Sequence, residues 1–536
     1  MTAAPNNSEL CEYTRARFLL GEVEQMAKRR IQFNMHELAS TAAKAVGATR
    51  CLDIQKCPDG LYNKAFMLSM DTGKQVIAKI PNPNAGRPYY TTASEVATMD
   101  FARTVLETPV PQVYAWNASA NDSNNSVGAE FIIMERVSGV PLSDIWWDLQ
   151  PNQKLKVFAQ VVRYMKRWTS VSFNGLGGLY FVEDVDTPSR EPLYFEEGKP
   201  IRNSRFTIGP SSNREWSDEG RGDIQCDRGP WKSIIDYRRA IGDREVTAVK
   251  TLCHIPKHSA MLCGPEPLYQ PTAEKKLEAL RYYSQILETL LPEDPSLTTS
   301  HLWHNDLHHE NIFVNPDSLQ ILGIIDWQSI QIAPLTDHCL DASFLDYEGP
   351  DIGTNLERPK LPAEIKSLNG EEKAIALKQY IDKAVMIAWR SLIRDKNPAQ
   401  HRAIEFQRSA SGNLLHLSRR IFELGEAHFR ALLLDLRDER ANAGPTSAPR
   451  FPFQFSDADV AAMEADVERA ELGVRLIKSM EQRLGHLWPD KGIVEHENYD
   501  EAKSALRDVK AEFIDKHKAH SGWDTAVFER LWPFDD

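Results

Sequence analysis

The sequence predicts an α+β chain in which a small β-rich part precedes a large helical one. Three observations carry that reading. Short apolar runs with strand-like alternation cluster between positions 47 and 137, and long helical periodicities dominate after 138. A tight polar turn, Asp71-Thr72-Gly73-Lys74, separates two of the early runs. The divisions expected are an N-terminal helical extension (1–46), a β-rich unit (47–137), a helical core with an inserted segment (138–360), and a helical C-terminal part (361–536).

In chain order, residues 12–46 read as mostly helical, with Asn34 as N-cap ahead of Met35, Leu38, Ala42 and Val46. Strands follow at 50–55, 65–70 and 75–80, the last two forming a hairpin around the polar turn. Pro81, Pro83, Gly86 and Pro88 keep the chain out of regular structure before a helix at 92–105. The polar stretch 117–128 is a loop ahead of a strand at 131–137. Beyond Ser138-Gly139-Val140-Pro141, helices are expected at 152–169, 274–290, 371–393 and 457–484. Residues 184–232, rich in Pro, Gly, Arg and Asp, read as an irregular insertion, and 436–454 as a mobile loop.

Composition bounds the function. The 536 residues are 42% hydrophobic and 26% charged, which is ordinary for a globular chain able to bury a large core without disulfides. A formal net charge of −13 lacks the basic footprint of a nucleic-acid-binding protein. No apolar run reaches the roughly 18 residues of a membrane span. Glu9, Glu12, Glu22 and Glu24, with no apolar stretch among them, argue against a secretory signal; Arg15, Arg17, Lys28, Arg29 and Arg30 give a faint transit-peptide character. Seven cysteines without a C-x-x-C pair point to a reducing compartment.

The densest chemistry is His304-Asn305-Asp306-Leu307-His308-His309-Glu310-Asn311, followed by apolar runs at 312–314 and 321–325 and then by Asp326-Trp327. Asn315-Pro316-Asp317 between those runs makes them a hairpin, which brings Asp306, Asn311 and Asp326 to one edge. Phosphoryl transfer from ATP needs such a set. Mg2+ prefers hard oxygen donors, which assigns Asn311 and Asp326 as metal ligands. A separate carboxylate, Asp306, orients the acceptor hydroxyl and takes its proton; the loose transition state asks little of this base.

The phosphates then require a cation upstream. In Val76-Ile77-Ala78-Lys79-Ile80, Lys79 lies on the face opposite Val76, Ala78 and Ile80. A lysine facing a core or cleft requires a counter-charge, and Glu95 on the following helix is the natural one.

This set resembles the aminoglycoside phosphotransferase-like branch of the protein-kinase-like fold, and more closely the fungal proteins called altered inheritance of mitochondria protein nine. The likeness extends over about residues 12–500 and includes Tyr90-Thr91-Thr92-Ala93-Ser94-Glu95, Gly128-Ala129-Glu130-Phe131-Ile132-Ile133-Met134-Glu135 and Asp227-Arg228-Gly229-Pro230-Trp231. It implies a two-lobed fold, a small β-rich N-lobe and a large helical C-lobe, with ATP between them. It also implies a hinge at 134–137, where the backbone of Glu135 and Val137 meets adenine. Lys79, with Glu95, would hold the α- and β-phosphates. A small-molecule acceptor and a mitochondrial or cytoplasmic location are further expectations. Two departures stand out. The phosphate loop, Asp59-Gly60-Leu61-Tyr62-Asn63-Lys64, has one glycine, leaving backbone N–H groups and Asn63 to meet phosphate. The metal-binding segment reads Asp326-Trp327-Gln328.

Other readings stay open at this level. A catalytically weak or inactive nucleotide-binding module has the same residues. His304-x-Asp306-x-His308 also reads as the zinc cluster of a metal-dependent hydrolase. Cys253, His254, His258 and Cys263 form a second metal-like set. Lys79 could be a solvated strand lysine, Glu95 a surface acid, and Gly60 with Asn63 a plain turn. Trp146, Trp147, Trp303 and Trp327 serve either as core or as an aromatic cage. Asp337 and Asp341 suit a cationic acceptor or hold their loop.

Overall fold

The computed structural model describes residues 10–252, 263–264, 266–345, 347, 349, 352–443, 451–489, 492–517 and 524–534. Its first strand, β1 (Ala16–Phe18), pairs antiparallel with Ile493–Glu495 near the other end of the chain. The β-rich N-lobe is a five-stranded antiparallel sheet of β2 (Cys51–Lys56), β3 (Asn63–Met70), β4 (Gln75–Pro81), β5 (Val113–Asn117) and β6 (Phe131–Glu135), in the order β2-β3-β4-β6-β5.

Period-two alternation builds this sheet. Phe66, Leu68, Val76, Ala78, Ile80 and Ile133 bury one face against Leu38 and Ala42 of the helix Met35–Ala45. That helix starts at Asn34, whose side chain accepts from the Glu37 backbone N–H. On the opposite face, Ile132 and Met134 join the main core, together with Val96, Ala97 and Phe101 of the helix Tyr90–Thr104. That helix is buried along nearly its whole length, wedged between the sheet and the C-lobe.

The C-lobe packs around Trp146, Phe158, Trp168, Trp303, Trp327 and Trp389. Its helices include Pro151–Thr169, Ile234–Thr251, Ala273–Leu290, Gly370–Lys396, Pro398–Gln407, Ala410–Leu417, Glu426–Ala443 and Asp457–Leu484. A three-stranded sheet at the junction of the lobes has Ile312–Val314 in the middle, flanked by Ile321–Ile324 and by β7 (Val140–Pro141). Among the described residues, no helix is long and apolar enough to cross a membrane.

Several expectations are corrected. Within 12–46, residues 16–18 form a strand, because their partner lies at the far end of the chain. The insertion 184–232 contains strands: Tyr194–Glu196 and Lys199–Ile201 extend a five-stranded antiparallel sheet, and Phe206–Gly209 pairs with Gly178–Phe181. Of the loop expected at 436–454, the part to 443 is helical, and 444–450 lie outside the described residues. Phe451, Phe453 and Phe455 pack on the cluster around Tyr283 and Phe429.

Candidate active site

Lys79 sits in β4 on the face that looks toward the C-lobe. Its Nζ donates to Glu95 Oε1 at 2.6 Å and to Asp326 Oδ1 at 2.7 Å. Lys79 and Glu95 are 7% and 3% exposed, so the pair lies out of water. Burial disfavours the ammonium, yet Asp326 and Glu95 outweigh it and hold the Lys79 pKa above its ordinary value. Asp326 reaches the lysine from a turn after Ile321–Ile324, with a left-handed φ of 61°. Asp tolerates that region better than bulkier residues, and such strain concentrates where surrounding structure dictates it.

Glu95 is placed by its helix, and that helix is anchored by a residue the sequence reading left without a role. Glu130 accepts from the Tyr89 backbone N–H at 2.9 Å and from the Thr92 hydroxyl at 2.5 Å. It holds Tyr89 at φ 66° at the helix entry. The available signal was an acid directly ahead of an apolar strand.

The loop 304–311 places its residues by packing. His304 is fully buried; its Nε2 lies 2.9 Å from the Ile325 carbonyl oxygen, and its ring meets Trp327 edge-on. Burial pushes its pKa down. His304 is therefore a brace between loop and hairpin. No group of three or more His, Cys, Asp or Glu able to hold a metal occurs among the described residues, which removes the His304/Asp306/His308 cluster.

Asp306 presents a carboxylate that is 66% exposed. Asn311 Nδ2 donates to the Asp306 carbonyl oxygen at 2.9 Å and to its Oδ2 at 3.4 Å, which turns Asn311 Oδ1 away from Asp306. The Ile325 backbone N–H donates to the Asn311 carbonyl oxygen at 2.9 Å, fixing Asn311 beside the chain that leads into Asp326. His308 Nε2 lies 3.5 Å from Asp306 Oδ2, and that interaction holds the imidazole pKa up.

Gly60 and Asn63 close a turn, Gly60 N–H donating to Asn63 O at 3.0 Å, and the Asn63 side chain pairs with that of Gln328. Behind the turn, buried Asp59 pairs with Lys56 at 2.8 Å and Lys64 at 3.4 Å and accepts from the Thr14 backbone. Both lysines also donate to the Glu12 carbonyl oxygen. Glu135 ends β6; its N–H donates to the Gln112 carbonyl oxygen at 2.8 Å. Val137 packs against Gly323, where any Cβ would lie 2.5 Å from Val137 Cγ1.

The structure thus joins Lys79, Glu95 and Asp326 directly, links Asp306 to Asn311, and fastens Asn63 to the segment after Asp326. Glu135 and Val137 border the same junction between lobes. Asp337 is buried against Arg238 and Tyr237, and Asp341 pairs with Arg390 and Trp389. Trp146, Trp303 and Trp327 are core. Trp147 is 58% exposed, but the Lys154 ammonium lies over Trp146 and Trp147, occupying the place a cage would give a ligand cation. Of the set Cys253, His254, His258 and Cys263, the first three lie outside the described residues.

Residues 239–337, which include the loop 304–311 and Asp326, match the model of the phosphotransferase enzyme family. A subtelomeric hrmA-associated cluster protein of Aspergillus fumigatus is 26% identical over 517 residues, covering 91% of this chain and 97% of the relative. Altered inheritance of mitochondria protein 9, mitochondrial, of Saccharomyces cerevisiae is 26% identical over 367 residues, or 63% of this chain and 57% of that protein. This match is shorter than the 12–500 expected from the motifs. Among solved structures, aminoglycoside phosphotransferase APH(4)-Ia is 14% identical, covers 82% of this chain and 98% of its own, and has a TM-score of 0.34.

Proposed function

We propose that this protein transfers the γ-phosphoryl group of ATP to a hydroxyl of a small-molecule acceptor. The observation that carries the reading is the Lys79 ammonium held at once by Glu95 and by Asp326, at 2.6 and 2.7 Å. It places a buried cation beside an acidic edge, at the junction of a β-rich lobe and a helical one. The family match over 239–337 supports the same chemistry.

In this reading Lys79 meets the α- and β-phosphates, with Glu95 keeping its ammonium in place. The backbone of Glu135 and Val137 borders adenine, and the turn of Gly60 and Asn63 covers the phosphates. The donors also suit Mg2+: Asp326 offers a carboxylate and Asn311 a hard amide oxygen turned away from Asp306. Two protein ligands suffice where phosphate oxygens complete the shell, and the ion would supply charge neutralisation at the β- and γ-phosphates.

Asp306, exposed and tied to Asn311, orients the acceptor O–H and receives its proton as the new O–P bond forms. The bond from γ-phosphorus to the β,γ-bridging oxygen breaks, and ADP leaves. A weak base suffices there, because proton transfer lags in a loose transition state. The mitochondrial relatives make that compartment the first to test by fractionation.

The test is Mg·ATP binding and slow hydrolysis by wild type and by Asp306→Asn, side by side. Binding by both with turnover by wild type alone is the expected outcome. Full turnover by Asp306→Asn would refute its assignment, and binding without any turnover would favour a non-catalytic nucleotide-binding module.

A further inference from the structure

We propose that Gln328 and Arg214 are positioning residues that clamp the phosphate loop onto the segment carrying Asp326 and thereby retain the bound nucleoside triphosphate. The clamp rests on the reading of the cleft as a nucleotide site. It answers a difficulty in the sequence: a loop with three glycines can wrap phosphates with its own backbone, whereas this one has only Gly60.

Contacts from the C-lobe hold the loop from two sides. Asn63 Nδ2 donates to Gln328 Oε1 at 2.9 Å, and Gln328 Nε2 donates to Asn63 Oδ1 at 3.1 Å. Two antiparallel amide bonds fix orientation as well as distance, where a single one would leave a pivot. Gln328 follows Asp326 by two positions in a turn with positive φ at both Asp326 and Ser329, so the loop rim shares a frame with the carboxylate facing Lys79.

The second hold is on Tyr62. The Arg214 guanidinium lies over its ring, Cζ 3.3 Å from the centroid. Arg214 is itself oriented by Asp218, through Nη2 at 2.9 Å and Nε at 3.2 Å. Its neighbour Asn213 donates from Nδ2 to the Ser329 carbonyl oxygen at 3.2 Å and caps the following turn by accepting from Glu215 N–H. The inserted segment therefore touches both the loop and the turn after Asp326.

The experiment follows release of a fluorescent N-methylanthraniloyl ATP analogue, with MgCl2 present, from the full-length protein by stopped flow. Asn63→Ala and Gln328→Ala should each release it about ten-fold faster, and the double variant no faster than either, because both remove one coupled pair. The exchanged pair Asn63→Gln with Gln328→Asn should release it more slowly than either alanine variant, since both amides are retained. Tyr62→Phe should release at the wild-type rate and Tyr62→Leu faster, because the ring face is what Arg214 covers. Unchanged release from Gln328→Ala, with binding abolished by Lys79→Ala, would overturn the clamp and leave the nucleotide site standing. Additive effects of Asn63→Ala and Gln328→Ala would also overturn it. No binding by wild type would overturn both readings.

Discussion

Lys79→Met removes the cation that, among the described residues, pairs with Glu95, while Lys79 itself has two carboxylate partners. The two ends of the pair should therefore respond unequally. Without Lys79, Glu95 is left 3% exposed with no ion-pair partner among the described residues, and stranding a buried charge costs about 3–5 kcal/mol. Without Glu95, the ammonium keeps Asp326, whose side chain is 37% exposed, so Glu95→Gln should cost about 1–2 kcal/mol. The deficit in Lys79→Met should also depend on pH. Burial already raises the Glu95 pKa, Lys79 lowers it, and Asp326 raises it; removing Lys79 leaves both raising influences unopposed. A carboxyl whose folded pKa exceeds its unfolded one takes up a proton on folding as pH falls, so the penalty shrinks toward acid. Urea unfolding of wild type, Lys79→Met and Lys79→Met/Glu95→Leu at pH 8 and pH 5.5 measures this. The gap should narrow at the lower pH, and the double variant should recover most of the loss. A Lys79→Met penalty below about 1 kcal/mol, or a double variant no more stable than the single, would refute the argument.

Three further outcomes are expected. Gly323→Ala forces its new Cβ into Val137, costing about 1–3 kcal/mol by overpacking and weakening Mg·ATP binding; adding Val137→Ala should restore both, as thermal unfolding and calorimetric titration would report. Glu130→Ala removes the anchor of the helix carrying Glu95 and should cost about 2 kcal/mol, with faster hydrogen exchange at the amides of residues 89–93. Burial pushes the His301 pKa down to about 4, so the unfolded state binds the proton first. Stability from this residue is complete above about pH 6.5 and falls by about 3 kcal/mol toward pH 4, and a His301→Gln variant should lose that part of the acid dependence in pH-resolved unfolding.

What could be read from the sequence was local. Alternation along 75–80 set Lys79 against the apolar face of its strand, and the two apolar runs after Asn311 announced the hairpin that leads to Asp326. What escaped was non-local or masked by charge. β1 is a strand only because Ile493–Glu495 lies beside it, and Asn63 finds Gln328 across 265 positions. The helix Ile234–Thr251 has a weak apolar stripe because Arg238, Arg244 and Glu245 fill its inward side, in ion pairs with Asp337 and Glu215 and with Arg221. The end of Glu426–Ala443 read as loop because the solvent-facing Arg437-Asp438-Glu439-Arg440 interrupts its apolar periodicity. β5 was missed because the Val113–Asn117 stretch has no fully buried residue to mark an inward face.

The Glu12 carbonyl oxygen that receives both Lys56 and Lys64, together with Thr14 on Asp59, sets a limit on how the chain can be matured. A protease that trims the N-terminus past Glu12 would take away the acceptor shared by two lysines behind the turn of Gly60 and Asn63. Trimming past Phe18 would also strip Ile493–Glu495 of its pairing partner, loosening the far end of the polypeptide. Proteolytic processing or a recombinant truncation that leaves these contacts intact therefore has to cut upstream of Glu12. An affinity tag is better joined by a linker there than substituted for these residues.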